Sequence, residues 1–513
     1  MADSSTFLDW RSVLFSILTV IIVGSQYIRG RKRAPPLPPG PRGLPLLGNI
    51  SDVPTSEHWL KFAELGNVWG DISSLTVLGQ TMIIVNSVKI AEDLLDVRGA
   101  NFSDRPEIPF GGGMVGFDNV ITLCQYGDRV KQERRLFRKF FGTSASIQEF
   151  VPLISSEIHN FLRNMAMRPD RLLEEISRLT GGVTLRIAYG YHLQDGPDTD
   201  PYLKMFEVAA ENFMHATTPA AFLVDTIPAL RYWPEWLPGG GFHTTGKLWR
   251  KQIHDTVNTG FEYVKKGMAA GTAETSFAST LLEENKHDDY LIKWASAAVE
   301  VGGSDTTGTQ LESFFLAMSL YPEIQEKAQA ELDRVVGNDR LPELSDRSEL
   351  PYVDASCKEA LRWHVVAPIS VPHRAREDFV YQKDETSEPM LIPKDSLVIT
   401  NTWKMTHDPE RYADPMAFNP SRFIATPAEP DPGRVAFGHG RRICPGALLG
   451  DATLFMACSA ILAVFKISKI RDENGVFVVP KLGQTSATIS RPFPFKCVVE
   501  PRNKRALALI RAD

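Results

Sequence analysis

The chain has little cysteine. Five residues in 513, scattered and odd in number, do not make a disulfide framework, and a reducing compartment suits the bulk of such a chain. It lacks a basic excess: Lys and Arg number 56 against 62 Asp and Glu, for a net charge of −6, which argues against nucleic-acid binding. It has no apolar run approaching spanning length beyond its N-terminal segment, so a polytopic membrane protein is excluded. From about residue 50 no linker, low-complexity tract or internal repeat divides it. What remains is ordinary globular composition, 43% hydrophobic and 23% charged, which excludes a disordered chain, a coiled coil or a collagen-like fibre.

Residues 1–33 read as a membrane anchor and its basic flank. Val13 to Ile28 form an apolar run, extended upstream by Phe7, Leu8 and Trp10, and Arg29, Arg31, Lys32 and Arg33 follow at once. Positive charge on that side predicts one transmembrane helix with the remaining chain in the cytosol. A cleaved signal peptide is the alternative, against which the charges follow the apolar run instead of preceding it. Residues 34–48 hold six prolines between Pro35 and Pro45, a semi-rigid hinge. A proline-rich ligand for an adaptor domain is the other reading. Two glycosylation triplets, at Asn49 and Asn101, are chance matches in a cytosolic domain.

Residues 49–513 are expected to form a single large, mainly α domain with a minor β region. The stretch 69–86 predicts two short strands joined at Gly79, and Lys89 to Arg98 a helix. Helical patterns recur over 127–141, 147–167, 289–321, 322–336 and 353–364. Strand-like pieces return at 379–381, 391–392, 397–400 and 497–500.

The chemistry concentrates in RVAFGHGRRICPG, from Arg434 to Gly446. Its glycines permit close approach to a flat ligand and positive φ. Arg442, two residues before Cys444, is placed to pair an anionic group. A helical pattern follows from Ala447, and a thiolate at a helix N-terminus is stabilised by the dipole and the free N–H groups. These residues suit a soft, single-cysteine metal ligand, as in a haem thiolate. A buried structural cysteine and a nucleophile served by His439 are the alternatives, and zinc lacks further ligands at suitable spacing.

The run Phe437-Gly438-x-Gly440-x-Arg442-x-Cys444-x-Gly446 resembles the haem-binding loop of cytochrome P-450 enzymes, with every fixed position filled. Three further pieces occur in that family's order, so the resemblance spans essentially the whole chain. Glu359-Ala360-Leu361-Arg362 resembles the family's Glu-x-x-Arg pair, completed by Arg422 into a structural network. Val301-Gly302-Gly303-Ser304-Asp305-Thr306-Thr307 is similar to the oxygen-activation segment, which implies Asp305 and Thr306 as the catalytic acid–alcohol pair that relays protons. Each mid-helix glycine costs about 1 kcal/mol against alanine, so either something approaches the backbone there or the helix opens. The third piece, from Tyr126 to Arg135, departs from the pattern. Val130 stands where the family usually has tryptophan, while Arg134 keeps its place as an implied contact of a haem propionate, as does His373.

The resemblance implies the cytochrome P-450 fold and heme b with Cys444 as its axial thiolate and metal ligand. Arg134, His373, Phe437, Arg442 and Gly446 would be the other cofactor contacts. It implies a monooxygenase that inserts one atom of O2 into a lipophilic small molecule. Electrons would come from NADPH through a separate membrane-bound cytochrome P-450 reductase, with cytochrome b5 as a second candidate partner. The basic run Lys131, Arg134, Arg135, Arg138 and Lys139 is either the reductase's docking surface or a solvated helix face. By analogy Phe110, Phe117, Ala298, Gly302, Val366, Ile369 and Thr488 line the substrate pocket. The aromatic loop from Phe222 to Phe242 is similar to that of fungal members of the O-methylsterigmatocystin oxidoreductase type. It points to secondary metabolism of a terpenoid, polyketide or alkaloid at the endoplasmic reticulum membrane. A haem-thiolate isomerase or dehydratase, or a non-catalytic haem binder, is the alternative function.

Overall fold

The computed structural model describes residues 35–194, 199–219 and 221–511. The transmembrane helix and basic flank expected at 1–33 lie outside the described residues. Among those described, the helices of eight or more residues are α1 (His58–Trp69), α2 (Asp128–Phe141), α3 (Val151–Met167), α4 (Leu172–Tyr189), α5 (Pro201–Thr217) and α6 (Phe242–Ala270). They continue with α7 (Phe277–Glu284), α8 (Asp289–Leu320), α9 (Pro322–Val335), α10 (Pro351–Trp363), α11 (Ala447–Val464) and α12 (Lys504–Arg511).

Strands β1 (Ile72–Val77) and β2 (Gln80–Val85) form a hairpin. Its two turn residues, Leu78 and Gly79, both have positive φ, as a two-residue hairpin turn requires. The sheet is completed by β3 (His373–Arg374) and β6 (Leu397–Thr400) in the order β1-β2-β6-β3, with β2 and β6 parallel. Strands β4 (Phe379–Tyr381) and β5 (Met390–Ile392) form one small hairpin; β7 (Phe465–Lys469) and β8 (Cys497–Pro501) pair antiparallel. The expected helix over 89–98 is instead a short α turn that widens into a π-turn at Glu92–Val97. The expected helix over 147–167 is two, Ser144–Gln148 and α3, because Pro152 has no N–H and fits only a first turn.

The main core gathers around α8 and α11. Helix α8 is capped by the Asp288 carboxylate, which accepts from the Leu291 N–H at 2.7 Å. It runs unbroken through Gly302 and Gly303, so it does not open. A Cβ on Gly303 would lie 2.8 Å from Thr184 Cγ2, so this glycine admits α4. A Cβ on Gly302 would meet nothing within 4 Å, because it faces a cavity. Helix α11 is apolar enough to cross a membrane by composition, but 67% of it is buried, which makes it a core helix.

Candidate active site

The loop before α11 turns Cys444 into that cavity. Gly440 has φ +61°, and a Cβ there would sit 1.9 Å from the Leu95 carbonyl oxygen, so only glycine lets the loop lie on the π-turn. The Cys444 N–H donates to the Phe437 carbonyl at 2.8 Å and closes the loop. The thiol is reached from the cavity and is shielded from bulk solvent. Burial pushes the thiol above its ordinary range, against the opposing pull of the Gly446 amide and the Arg134 charge. Such a sulfur ionises when a cation sits on it, as a metal ligand does.

The cavity measures about 370 Å³ and lies between this loop and α8. One end carries three guanidinium groups and an imidazole: Arg105, Arg134, Arg442 and His373. Their hydrogen bonds go to main-chain carbonyls. Arg105 donates to Thr122, Val371 and Pro372 at 3.0, 2.6 and 2.9 Å. Arg442 donates to Ser103 at 2.8 Å, to Ile121 at 3.1 Å and to Cys124. Arg134 donates to Ile443 at 2.8 Å. Burial and the neighbouring guanidinium groups press Arg105 well below its ordinary value, and burial brings Arg442 to about 10. Asp104 is the carboxylate whose charge acts on Arg105 and Arg442, and three guanidinium groups gathered at one end of the cavity call for a further anionic partner. His373 Nδ1 lies 2.6 Å from the Phe102 carbonyl and therefore carries the proton, so Nε2 donates only as imidazolium. Burial first, then Arg105, keeps that ring neutral until an anion arrives.

Among the described residues no three His, Cys, Asp or Glu gather to hold a metal. A metal on Cys444 would therefore need its remaining ligands from an organic cofactor. A flat, largely apolar ring with an anionic edge and a soft metal fits this set, and haem b has those properties. Phe437 and Gly446 lie on the same wall. Arg105 was not expected from sequence; it is one arginine in an unremarkable loop, and nothing local signals its role. Val130 is fully buried and brings no donor.

Across the cavity, Thr306 Oγ1 lies on the wall and donates to the Gly302 carbonyl at 2.8 Å. Asp305 does not join it there. Its carboxylate pairs with Arg491, which also binds Glu312 at 2.6 Å, and Oδ2 of Asp305 is buried without a partner. The expected acid–alcohol pair is thus adjacent in sequence but points to different sides of α8, as the turn of about 100° per residue dictates.

The expected network is present. Glu359, fully buried, accepts from Arg362 Nε and Nη2 at 2.8 Å each, from Arg422 Nε at 3.2 Å and from the Asn419 N–H at 2.7 Å. Both arginines then bind carbonyls of residues 406–417, tying the segment ahead of the haem loop to α10.

Of the pocket residues, Ala298, Gly302, Val366 and Thr488 line the cavity, joined by Phe213 and Ile489. Three do not. Phe110 stacks on Phe222 with centroids 3.5 Å apart. Phe117 lies behind Phe213, edge-on at 5.2 Å. Ile369 packs toward the sheet with Ile399. Aromatic side chains in these loops gain more from packing on one another than from lining an open space. The Thr488 and Thr217 hydroxyls meet at 2.9 Å and join the C-terminal turn to α5.

A family model described as Cytochrome P450 matches residues 38–491. Cytochrome P450 monooxygenase 208 of Postia placenta is 45% identical over 98% of this chain and 96% of its own length. Cytochrome P450 monooxygenase claR of Ampulloclitocybe clavipes is 42% identical over 97% of this chain and 92% of its own. The corresponding values for cytochrome P450 monooxygenase CLM2 of Gibberella zeae are 37%, 97% and 96%. With a cysteine turned into a cavity of this donor set and relatives of this kind along its length, the chain belongs to the cytochrome P450 family and is an oxygenating oxidoreductase.

Proposed function

We propose that this protein hydroxylates a lipophilic small molecule of fungal secondary metabolism, from a terpenoid, polyketide or alkaloid pathway. The observation that carries the reading is the single cavity shared by the Cys444 thiol and Thr306, walled by Ala298, Val366 and Phe213. Apolar walls orient a substrate by shape and exclude water, while Thr488, bonded to Thr217 of α5, offers a hydroxyl at the wall. Haem b, when bound, supplies the oxidising iron, and thiolate ligation favours O–O cleavage. Cys444 holds the metal, and Arg105, Arg134 and Arg442 hold the anionic edge. Thr306 delivers protons at the cavity wall; Asp305 supplies Thr306 when Arg491 lets it go.

Electrons arrive from NADPH through a separate reductase, with cytochrome b5 as a second donor, at the exposed basic residues of α2. Of that run, Lys131, Arg135, Arg138 and Lys139 are exposed, whereas Arg134 turns into the cavity. Lys131 pairs with Asp128 and Lys139 with Glu284, which leaves Arg135 and Arg138 as the principal charges. The protein sits on the endoplasmic reticulum membrane through residues 1–33. Tyr232 and Trp236, 75% and 82% exposed, add a second apolar contact.

The test is the carbon monoxide difference spectrum of reduced membranes from cells expressing the full chain, followed by spectral-shift screening of terpenoids, polyketides and alkaloids. A thiolate-type Soret band that disappears in Cys444→Ser supports the reading; its retention in that variant would overturn the ligand assignment. Hydrophilic compounds as the only ones to shift the spectrum would overturn the substrate class.

A further inference from the structure

A threonine hydroxyl has one proton to donate and two lone pairs that accept. Thr217, the last residue of α5, donates its proton to the Phe213 carbonyl one turn back, at 2.8 Å. The Thr488 hydroxyl lies 2.9 Å from that of Thr217, so at this contact Thr488 is the donor and Thr217 the acceptor. The result is a directed chain, from the Thr488 O–H to the Thr217 O–H to the Phe213 carbonyl. Each bond in such a chain polarises the next, which strengthens the lone pairs at its open end. That open end is the Thr488 oxygen, and Thr488 lies on the cavity wall beside Ile489.

The turn that carries Thr488 is pinned on both sides. The Ser490 N–H donates to the Val366 carbonyl at 2.8 Å. The Thr485 N–H donates to the Arg491 carbonyl at 2.8 Å, and the Arg491 N–H donates to the Thr485 hydroxyl at 3.0 Å. The acceptor is therefore in place before a ligand arrives. Other hydroxyls on the wall are used in the same sense. Thr306 donates to the Gly302 carbonyl at 2.8 Å, Thr180 to that of Ile176 at 3.1 Å and Thr184 to that of Thr180 at 2.9 Å. Gln310, buried on the wall with neither amide atom partnered, both donates and accepts, so it does not select between the two.

We infer that the substrate carries a hydroxyl or N–H that donates to Thr488 Oγ1, so that the protein takes an alcohol or an N–H compound in preference to the matching ether or hydrocarbon. The inference rests on the reading of the cavity as a site for lipophilic small molecules, and narrows it. An ether oxygen set against Thr488 brings lone pairs against lone pairs, and a hydrocarbon leaves the acceptor unpaired. Where the donor is an alcohol, a step that installs or unmasks a hydroxyl precedes this one.

The test measures dissociation constants from the spectral shift of the oxidised holoenzyme with three ligand sets, each an alcohol, its methyl ether and a related hydrocarbon. The sets are built on farnesol, cedrol and 2-naphthol. For at least one skeleton the alcohol should bind about five-fold more tightly than its two companions. Thr488→Val should bring the alcohol to the level of the ether, and Thr488→Ser, which retains the hydroxyl, should keep the preference. Thr217→Val removes the acceptor that occupies the Thr488 proton, so Thr488 becomes free to donate and the ether should gain about five-fold. A purely structural role for the threonine pair would not produce that gain. Equal affinities within every set, or a preference for the alcohol that survives in Thr488→Val, would overturn the inference and leave the lipophilic site standing. No shift with any of the nine compounds would remove the reading of the cavity itself, and this inference with it.

Discussion

Arg491 reaches from the C-terminal turn to Asp305 and holds that carboxylate away from the cavity wall occupied by Thr306. Thr488 and Ile489, on the wall, lie three and two residues before Arg491. The turn is itself fixed by the Ser490 N–H, which donates to the Val366 carbonyl at 2.8 Å, and by His364 Nε2, 2.7 Å from the Ser490 carbonyl. The strip that meets substrate and the residue that restrains the proton-bearing acid are therefore one short piece of backbone.

Arg491→Ala leaves Asp305 and Glu312, 10% and 7% exposed, without their shared cation. A fully enclosed pair broken in this way costs about 3–5 kcal/mol. Arg491 is 40% exposed, so solvent screening reduces the expected loss to about 1–3 kcal/mol. Thermal unfolding should show it, with Arg491→Lys recovering part.

Glu359→Gln removes the anion between Arg362 and Arg422, which are 0% and 4% exposed. Two guanidinium groups are then buried without their shared charge, an expected loss of about 3–5 kcal/mol. The ratio of haem to protein after purification should fall with the urea midpoint.

Arg105→Leu takes away three bonds to carbonyls and one of the cavity's three guanidinium charges. The unpaired carbonyls cost about 1–3 kcal/mol. Haem should pass to an excess of an acceptor apoprotein faster than from wild type, while Lys131→Ala, out on the surface, leaves that rate unchanged.

Burial lowers His364 to about 4 and His407 to about 3. Between the ordinary histidine value near ~6.5 and those lower values, the unfolded chain binds more protons than the folded one. Stability should therefore fall as pH drops through that window. His364→Gln removes one contributor, on the order of 3 kcal/mol by pH 4, and should flatten the curve of unfolding free energy against pH.

The loop carrying Phe110 is fastened to the stretch around Phe222 by one backbone bond and one ring stack. The Phe110 N–H donates to Asp225 at 2.7 Å, and Phe110 lies flat on Phe222 with Trp249 at its edge. Burial raises Asp225 to about 6, so this group's contribution to stability decreases as pH rises from about 4 to about 6. Asp225→Ala leaves the N–H without its acceptor and should speed the association of an azole ligand in stopped-flow absorbance.

The chain alone determined the chemistry and most of the elements. Cys444 and its glycines are neighbours in sequence, the helical patterns of α2, α8, α9 and α10 are periodic over many residues, and the Leu78-Gly79 hairpin is local. What the tertiary structure decided was which side chains meet. Arg105 joins the cavity through carbonyls 266 and 267 residues away, and Arg491 grips Asp305 across 186. The Phe110 and Phe117 rings chose other aromatics over the cavity. Local geometry places a residue on a helix face or in a turn; a buried charge or ring takes whatever partner the packing of distant segments leaves within reach, and no short stretch of sequence specifies that partner.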